Sequence, residues 1–184
     1  AGEWMARAER LRAQFERAFW CDELGTYALA LDGHKRPCRV RTSNPGHSLY
    51  TGIAHAERGR QVIAGFGDEQ FFSGWGVRTV AESELRFNPM SYHNGAIWPH
   101  DNSLLAAGAA RYDDKSFALR ILNAQFQAAR EFDLLRLPEL FCGFRRKGRE
   151  PPLQSPVACS PQTASAGATF LMLQSVLGIT IDAL

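Results

Sequence analysis

From Gly74 to Asn102 the chain reads GWGVRTVAESELRFNPMSYHNGAIWPHDN, and any fold must be built around this segment. Asn88-Pro89 and Asn94-Gly95 are turn formers, because Pro fixes φ while Asn and Gly tolerate left-handed backbone. Pro99 suits the first turn of a helix, where its missing N–H leaves no partner wanting. The stretch therefore predicts a long ordered loop feeding a helix, and such loops in compact domains usually carry function. It gathers Trp75, Arg78, Tyr92, His93, Asn94, Trp98, His100 and Asp101. Flat aromatic faces beside short polar side chains suit a sugar, whose C–H face lies on a ring while its hydroxyls demand donors and acceptors. A buried turn with satisfied polar groups is the plainer alternative.

The flanking sequence is helical. Trp4, Ala8, Leu11, Phe15 and Phe19 recur at helical spacing, with Arg7, Glu9, Arg10, Glu16 and Arg17 between them. Tyr27–Leu31 and Arg39-Val40 flank Asp32-Gly33, which predicts a small β-hairpin. Helices are predicted at about 47–56 and 61–65. A further one, 101–111, is so rich in Ala and Gly that it can pack closely on several neighbours and belongs inside. Asp113 or Asp114 can cap a helix to about Glu131, with Phe117, Ile121, Phe126 and Ala129 inward. Ser160-Pro161 reads as an N-cap and first helical residue of a last helix, apolar nearly all round and so expected to be buried, which Gly178 stops.

Hairpins that alternate buried and amphipathic helices are what a toroid of inner and outer helices requires. The predicted fold is mainly all-α, a partial (α/α)6 toroid with a small β-hairpin, holding about half the helices that closure needs. With 184 residues and 45% hydrophobic content, one domain over residues 1–184 can bury a core. The net charge of +2 argues against nucleic acid, and the basic run Arg145–Arg149 lacks interleaved aromatics. The 4 cysteines form no CxxC pair, which fits reduced thiols in a cytoplasmic protein. No apolar run is long enough to span a bilayer. His93, His100 and Asp101 could suggest a metal, yet their Trp- and Asn-rich surroundings suit a sugar better, so neither metal nor cofactor is expected.

Five blocks in succession carry a resemblance: SNPGHSLYTGI at Ser43–Ile53, SGWGVRT at Ser73–Thr79, NPMSYHNGAIWPHDN at Asn88–Asn102, LPELFCGF at Leu137–Phe144 and SPQTASAGATFLMLQ at Ser160–Gln174. Together they resemble the C-terminal part of bacterial amylo-alpha-1,6-glucosidase-like proteins, the glycogen debranching enzyme family of (α/α)6-barrel glycoside hydrolases. The resemblance implies hydrolysis of α-glucosidic bonds, α-1,6 branches among them, with an α-glucan or other α-glucoside as partner. A catalytically silent carbohydrate-binding module on the same half-barrel is the alternative.

Glycoside hydrolysis needs two carboxyl groups flanking the bond. Glu139, between Pro138 and Phe141 with Gly143 permitting close approach, is the candidate general base of an inverting mechanism by the resemblance. Asp101 at a helix start suits a hydroxyl acceptor or cap better than an acid that must stay protonated. The resemblance places the general acid in a GWKDS-like segment shortly upstream of the helix that begins this chain, so the isolated chain is expected to be inactive. Carried over as sugar-binding residues are Trp75, Arg78, Tyr92, His93, Asn94, Trp98, His100 and Asp101, with Asn44, His47 and Gln162 at the margin. Trp75 and Trp98 are expected on one concave surface. Open toroid edges are expected to drive self-association, or to be covered by an upstream polypeptide.

Overall fold

The computed structural model describes residues 2–180 and contains six α-helices with two small antiparallel hairpins. Helix α1 (Gly2–Phe19) has the predicted apolar spacing, but only its C-terminal end packs. Phe15 and Phe19 lie against the core, whereas Trp4 and Leu11 stand exposed. Glu16, which the pattern puts among the solvated positions, is instead buried. It accepts bonds from the Tyr27 hydroxyl at 2.8 Å, the His55 amide at 2.6 Å and the Arg58 guanidinium at 2.5 Å. Burial alone pushes the Glu16 carboxyl up, but the Arg58, His55 and Tyr27 donors outweigh it and hold the pKa below the usual value.

Strand β1 (Trp20–Cys21) pairs with β2 (Thr26–Tyr27), a hairpin not foreseen, turned by Gly25 in left-handed backbone. The predicted hairpin about Asp32-Gly33 is present as β3 (Ala30–Leu31) with β4 (Pro37–Cys38), its second strand earlier than Arg39-Val40. The Asp32 carboxylate closes that turn by accepting the His34 and Arg36 amides. The helix expected at 47–56 is α2 (Pro45–Thr51), which stops sooner at Gly52, whose φ of 73° ends it, and the one expected at 61–65 is α3 (Ala56–Phe66), which starts earlier.

Helix α4 (Pro99–Arg111) is the hub, packed against α2, against α5 (Lys115–Ala129) and against α6 (Thr163–Leu177). Its small residues are the reason. A Cβ on Gly108 would lie 2.7 Å from Leu49 Cβ and 3.0 Å from the Tyr50 nitrogen, so α2 could not approach. Asp114 caps α5 by accepting the Phe117 amide at 2.9 Å. Phe126, expected inward, is 64% exposed.

The last helix begins later than Ser160-Pro161 predicts, at Thr163, and it is not buried all round. Ser165, Ala168 and Met172 pack inward while Phe170, Leu173 and Leu177 face out. An all-apolar helix with one packed face is what an incomplete arc of helical hairpins produces at its edge. The main core joins Leu49, Val62, Ile63, Phe66, Leu105, Ile121 and Met172, and a second cluster holds Trp75, Ile97, Phe132 and Phe141. Among the described residues no helix is long and apolar enough to cross a membrane.

The loops are laced together where the second cluster lies. Isolated antiparallel bridges join Arg78 to Ile97, Ile97 to Phe141 and Phe141 to Gln154, and another joins Thr42 to Val80. This ladder ties four segments distant in sequence into one rigid face beside the start of α4.

Candidate active site

Ile97 and Phe141 exchange both backbone hydrogen bonds, at 2.9 and 3.0 Å, and so set the Tyr92–Trp98 loop beside the Pro138–Gly143 turn. Gly143 makes the approach possible, since a Cβ there would lie 1.8 Å from the Gly95 carbonyl oxygen. The Gly143 amide in turn donates to the Pro89 carbonyl at 2.8 Å. Asn88 closes the loop by donating its amide to the Asn94 carbonyl at 2.8 Å. Trp98 precedes Pro99 at the head of α4, and its indole N–H donates to the Tyr92 carbonyl at 3.0 Å. The Tyr92 ring meets Trp98 edge-on at 4.9 Å, and the His93 ring lies nearly parallel to Trp98 at 6.2 Å. Asn102 locks this helix start from beneath. Its amide oxygen accepts the Val77 N–H at 2.7 Å, and its nitrogen donates to the Val77 and Trp98 carbonyls. Sequence reasoning does not single out Asn102, because a buried Asn bonded to backbone has no motif of its own.

Glu139 is buried at 9% exposure, at the junction of three segments. Its Oε1 accepts the Tyr92 hydroxyl at 2.7 Å and the Gln162 amide at 3.2 Å. Among the described residues its Oε2 accepts only the Cys159 N–H, at 3.3 Å. The Glu139 amide donates to the Cys159 carbonyl, and Ser165 on α6 holds the Pro138 carbonyl at 2.7 Å. The carboxylate is therefore fixed through one oxygen while the other keeps spare acceptor capacity. Its bond to Glu139, together with desolvation, pushes the Tyr92 phenol above its ordinary pKa, so Tyr92 is a neutral donor.

Trp98 also lines a cleft of about 570 Å3. Of the residues carried over from the sequence, His93, Asn94, Trp98, His100 and Asp101 line it together, and Asn44 and His47 join them. Asp101 is not a helix cap. Its Oδ1 accepts His47 Nε2 at 2.8 Å, and this bond outweighs burial to raise the His47 pKa. Neither Glu139 nor its partner Tyr92 is among the residues that line the cleft.

Besides Tyr92, two expected residues lie outside the cleft. Trp75 is buried in the second core cluster, with the Arg146 guanidinium 4.3 Å over its ring, so the two indoles do not share a concave surface. Arg78 is wholly buried, and its guanidinium donates to the carbonyls of Gly143 at 2.6 Å, Glu69 at 3.0 Å and Gln70 at 3.2 Å. Those bonds tie the loop to the Glu139 turn. Among the described residues no cluster of three His, Cys, Asp or Glu side chains could hold a metal ion, and the described cysteines are all free.

Helical hairpins packed on an Ala- and Gly-rich hub give the chain an α/α-barrel type of fold. The family model of the mannosylglycerate hydrolase MGH1-like glycoside hydrolase domain matches residues 1–139, so the chain belongs to that family. Among solved structures, a GH63 mannosylglycerate hydrolase from Thermus thermophilus in complex with glucose is similar at 22% identity and a TM-score of 0.64. The match covers 86% of this chain and 35% of that one. The neutral trehalase of Saccharomyces cerevisiae is similar at 15% identity and a TM-score of 0.67, over 94% of this chain and 30% of that one. A sialidase is similar at 14% identity with a TM-score of 0.72, over 94% of this chain and 17% of that one. The chain thus spans about a third or less of the length of these relatives. No curated protein matches it.

Proposed function

We propose that this chain supplies the general base and a sugar-binding wall to the catalytic barrel of an inverting α-glycosidase acting on α-glucosides, α-1,6 branches among them. The single observation that carries the reading is the asymmetric hold on Glu139: two side-chain donors on Oε1 and one backbone N–H on Oε2. A base needs a fixed orientation and a free lone pair, and this carboxylate has both. A water hydrogen-bonded to Oε2 gives up its proton there as its oxygen attacks the anomeric carbon. A second carboxyl group, on the opposite face of the sugar, protonates the leaving oxygen. The resemblance to debranching enzymes puts that acid upstream of α1. Asp101, held by His47 at the cleft, serves as acceptor to a sugar hydroxyl. Trp98, His93, Asn94 and His100 supply the remaining wall.

On this reading residues 1–184 are the C-terminal portion of the barrel, and they need the upstream portion for turnover. The test is hydrolysis of isomaltosides by this chain joined to that portion, followed by proton NMR of the released sugar. The product emerges as the β-anomer, and Glu139→Gln lowers kcat by roughly 10³-fold with little change in KM. Full activity in Glu139→Gln, or release of the α-anomer, overturns the assignment.

A further inference from the structure

We propose that Arg120 and Arg146 form a binding site for a phosphate group, free or esterified to a sugar, beside α5. Two hollows of about 360 and 510 Å3 share Phe72, Gly74, Arg120 and Arg146 in their linings, so they adjoin. Each of the two guanidiniums lies over an aromatic ring, Arg120 at 3.9 Å from the Phe72 centroid and Arg146 at 4.3 Å from that of Trp75. Neither pairs with a carboxylate among the described residues. Two positioned cations with uncompensated charge therefore face the same hollows.

Both side chains are anchored beyond the rings. Arg120 Nη1 donates to the Gly67 carbonyl at 3.1 Å, and Arg146 Nη1 donates to Gln127 Oε1 on α5. The Arg146 amide donates to the Ser73 carbonyl at 2.8 Å. Gly74 permits that approach, because a Cβ there would lie 2.8 Å from Arg146 Cβ and its φ is 95°. A guanidinium has five N–H donors, and each of these two uses one on the protein, so most of each fork is open to a ligand. Arg145 is different: it holds Glu69 at 2.9 Å and Glu82 at 2.7 Å. Glu69 is the one acidic residue in either lining among the described residues, and this pair offsets its charge.

The donor set selects the ligand. Guanidiniums only donate, so the ligand must bring acceptors. A phosphate monoester brings three acceptor oxygens, enough for two forks, whereas a carboxylate fills one. Ser116, Asn123 and Gln127 in the same lining add the hydroxyl and amide groups that suit a sugar ester. A nucleic acid is disfavoured, because the guanidiniums already cover the Phe72 and Trp75 rings on which a base would stack. No residue of either hollow lines the Trp98 cleft or hydrogen-bonds Glu139. The site is thus independent of the glycosidase reading.

The experiment is a phosphorus NMR titration of the chain, at fixed ionic strength, with inorganic phosphate and with glucose 6-phosphate. The wild-type chain binds at least one of them. Arg120→Gln and Arg146→Gln each weaken that binding by about tenfold, the scale of a hydrogen bond between charged groups. Arg120→Lys keeps the charge but lacks the fork, and it weakens binding too. Should a Gln variant fail to fold, Arg120→Lys decides the matter. Arg149→Gln removes a charge from the same basic run but lies outside both linings, and it changes affinity by less than about twofold. Trp98→Ala leaves binding unchanged. Tighter binding of the ester names a sugar phosphate as the source, and equal or tighter binding of inorganic phosphate names the free ion. An Arg149→Gln as damaging as Arg120→Gln shows attraction to net charge alone and overturns the site. So does loss of glucose 6-phosphate binding in Trp98→Ala with Arg120→Gln harmless, which moves the ligand to the cleft. A wild-type chain that binds neither phosphate overturns the site and leaves the glycosidase reading standing.

Discussion

The Tyr92 hydroxyl and the Glu139 carboxylate, 47 residues apart in sequence, share a 2.7 Å hydrogen bond across the junction of two loops. The bond stabilises the neutral phenol against the phenolate, which is why Tyr92 is held above its ordinary value. Replacing Glu139 by Gln removes the negative charge and keeps the shape. The Tyr92 titration, followed by its ring resonances in NMR, then moves back down toward the ordinary tyrosine value. Tyr27 and Tyr112, which are raised chiefly by their own burial, stay where they are. A Tyr92 titration indifferent to Glu139→Gln would show that the two groups do not meet in solution.

Glu16 provides the chain's clearest acid-sensitive element. Its folded pKa lies below the ordinary glutamate value of 4.5. The stability it contributes is therefore fully present above that pH and is lost as pH falls through the lowered folded value. Glu16→Gln should cost about 2–3 kcal/mol at neutral pH, because Arg58, Tyr27 and the His55 amide lose a charged acceptor. The gap between the two proteins should narrow in acid, as wild-type Glu16 protonates. Denaturant unfolding at several pH values checks this; equal stability at neutral pH would contradict it.

Arg78 separates a binding role from a structural one. Its three carbonyl partners need the planar fork of a guanidinium, which an ammonium cannot reproduce. Arg78→Lys is therefore expected to destabilise the fold by about 3 kcal/mol or more, leaving buried carbonyls without donors. A drop in melting temperature should accompany any loss of sugar affinity. Weakened binding at an unchanged melting temperature would return Arg78 to the sugar-binding set.

What the sequence made legible and what it hid differ by the span of the interactions involved. The Asp114 cap, the turn at Asp32-Gly33 and the close-packed α4 rest on neighbours in sequence or on residue size, so a local pattern reports them. The burial of Glu16 depends on His55 and Arg58, and that of Arg78 on Gly143, partners that no local periodicity announces. Trp75 illustrates the same limit: a Trp in a polar loop looks like a sugar platform until Phe132 and Phe141 close over it. The cleft residues His93, Asn94, Trp98, His100 and Asp101 could be read as a group because one short segment carries them all. Thr42 could not, since it arrives from another segment through its bridge to Val80.

The outer helices carry the last expectation. Trp4 at 69% exposure, with Met5 and Leu11, leaves α1 apolar and uncovered, and Phe170 at 75%, with Leu173 and Leu177, does the same for α6. Soluble monomers seldom leave contiguous apolar patches beyond a few hundred Å2 in water. In a closed barrel such faces meet neighbouring helices. In the isolated chain, a second copy meeting the same need by two-fold symmetry is the simplest cover. Light scattering on the isolated chain should therefore show a mass above that of the 20.5 kDa protomer. Trp4→Glu and Phe170→Glu each place a charge on one of the two edges, so whichever restores the monomer identifies the face in use. Self-association unaffected by either substitution would place the contact elsewhere. A monomer that persists at high concentration would mean that these faces tolerate water without a partner.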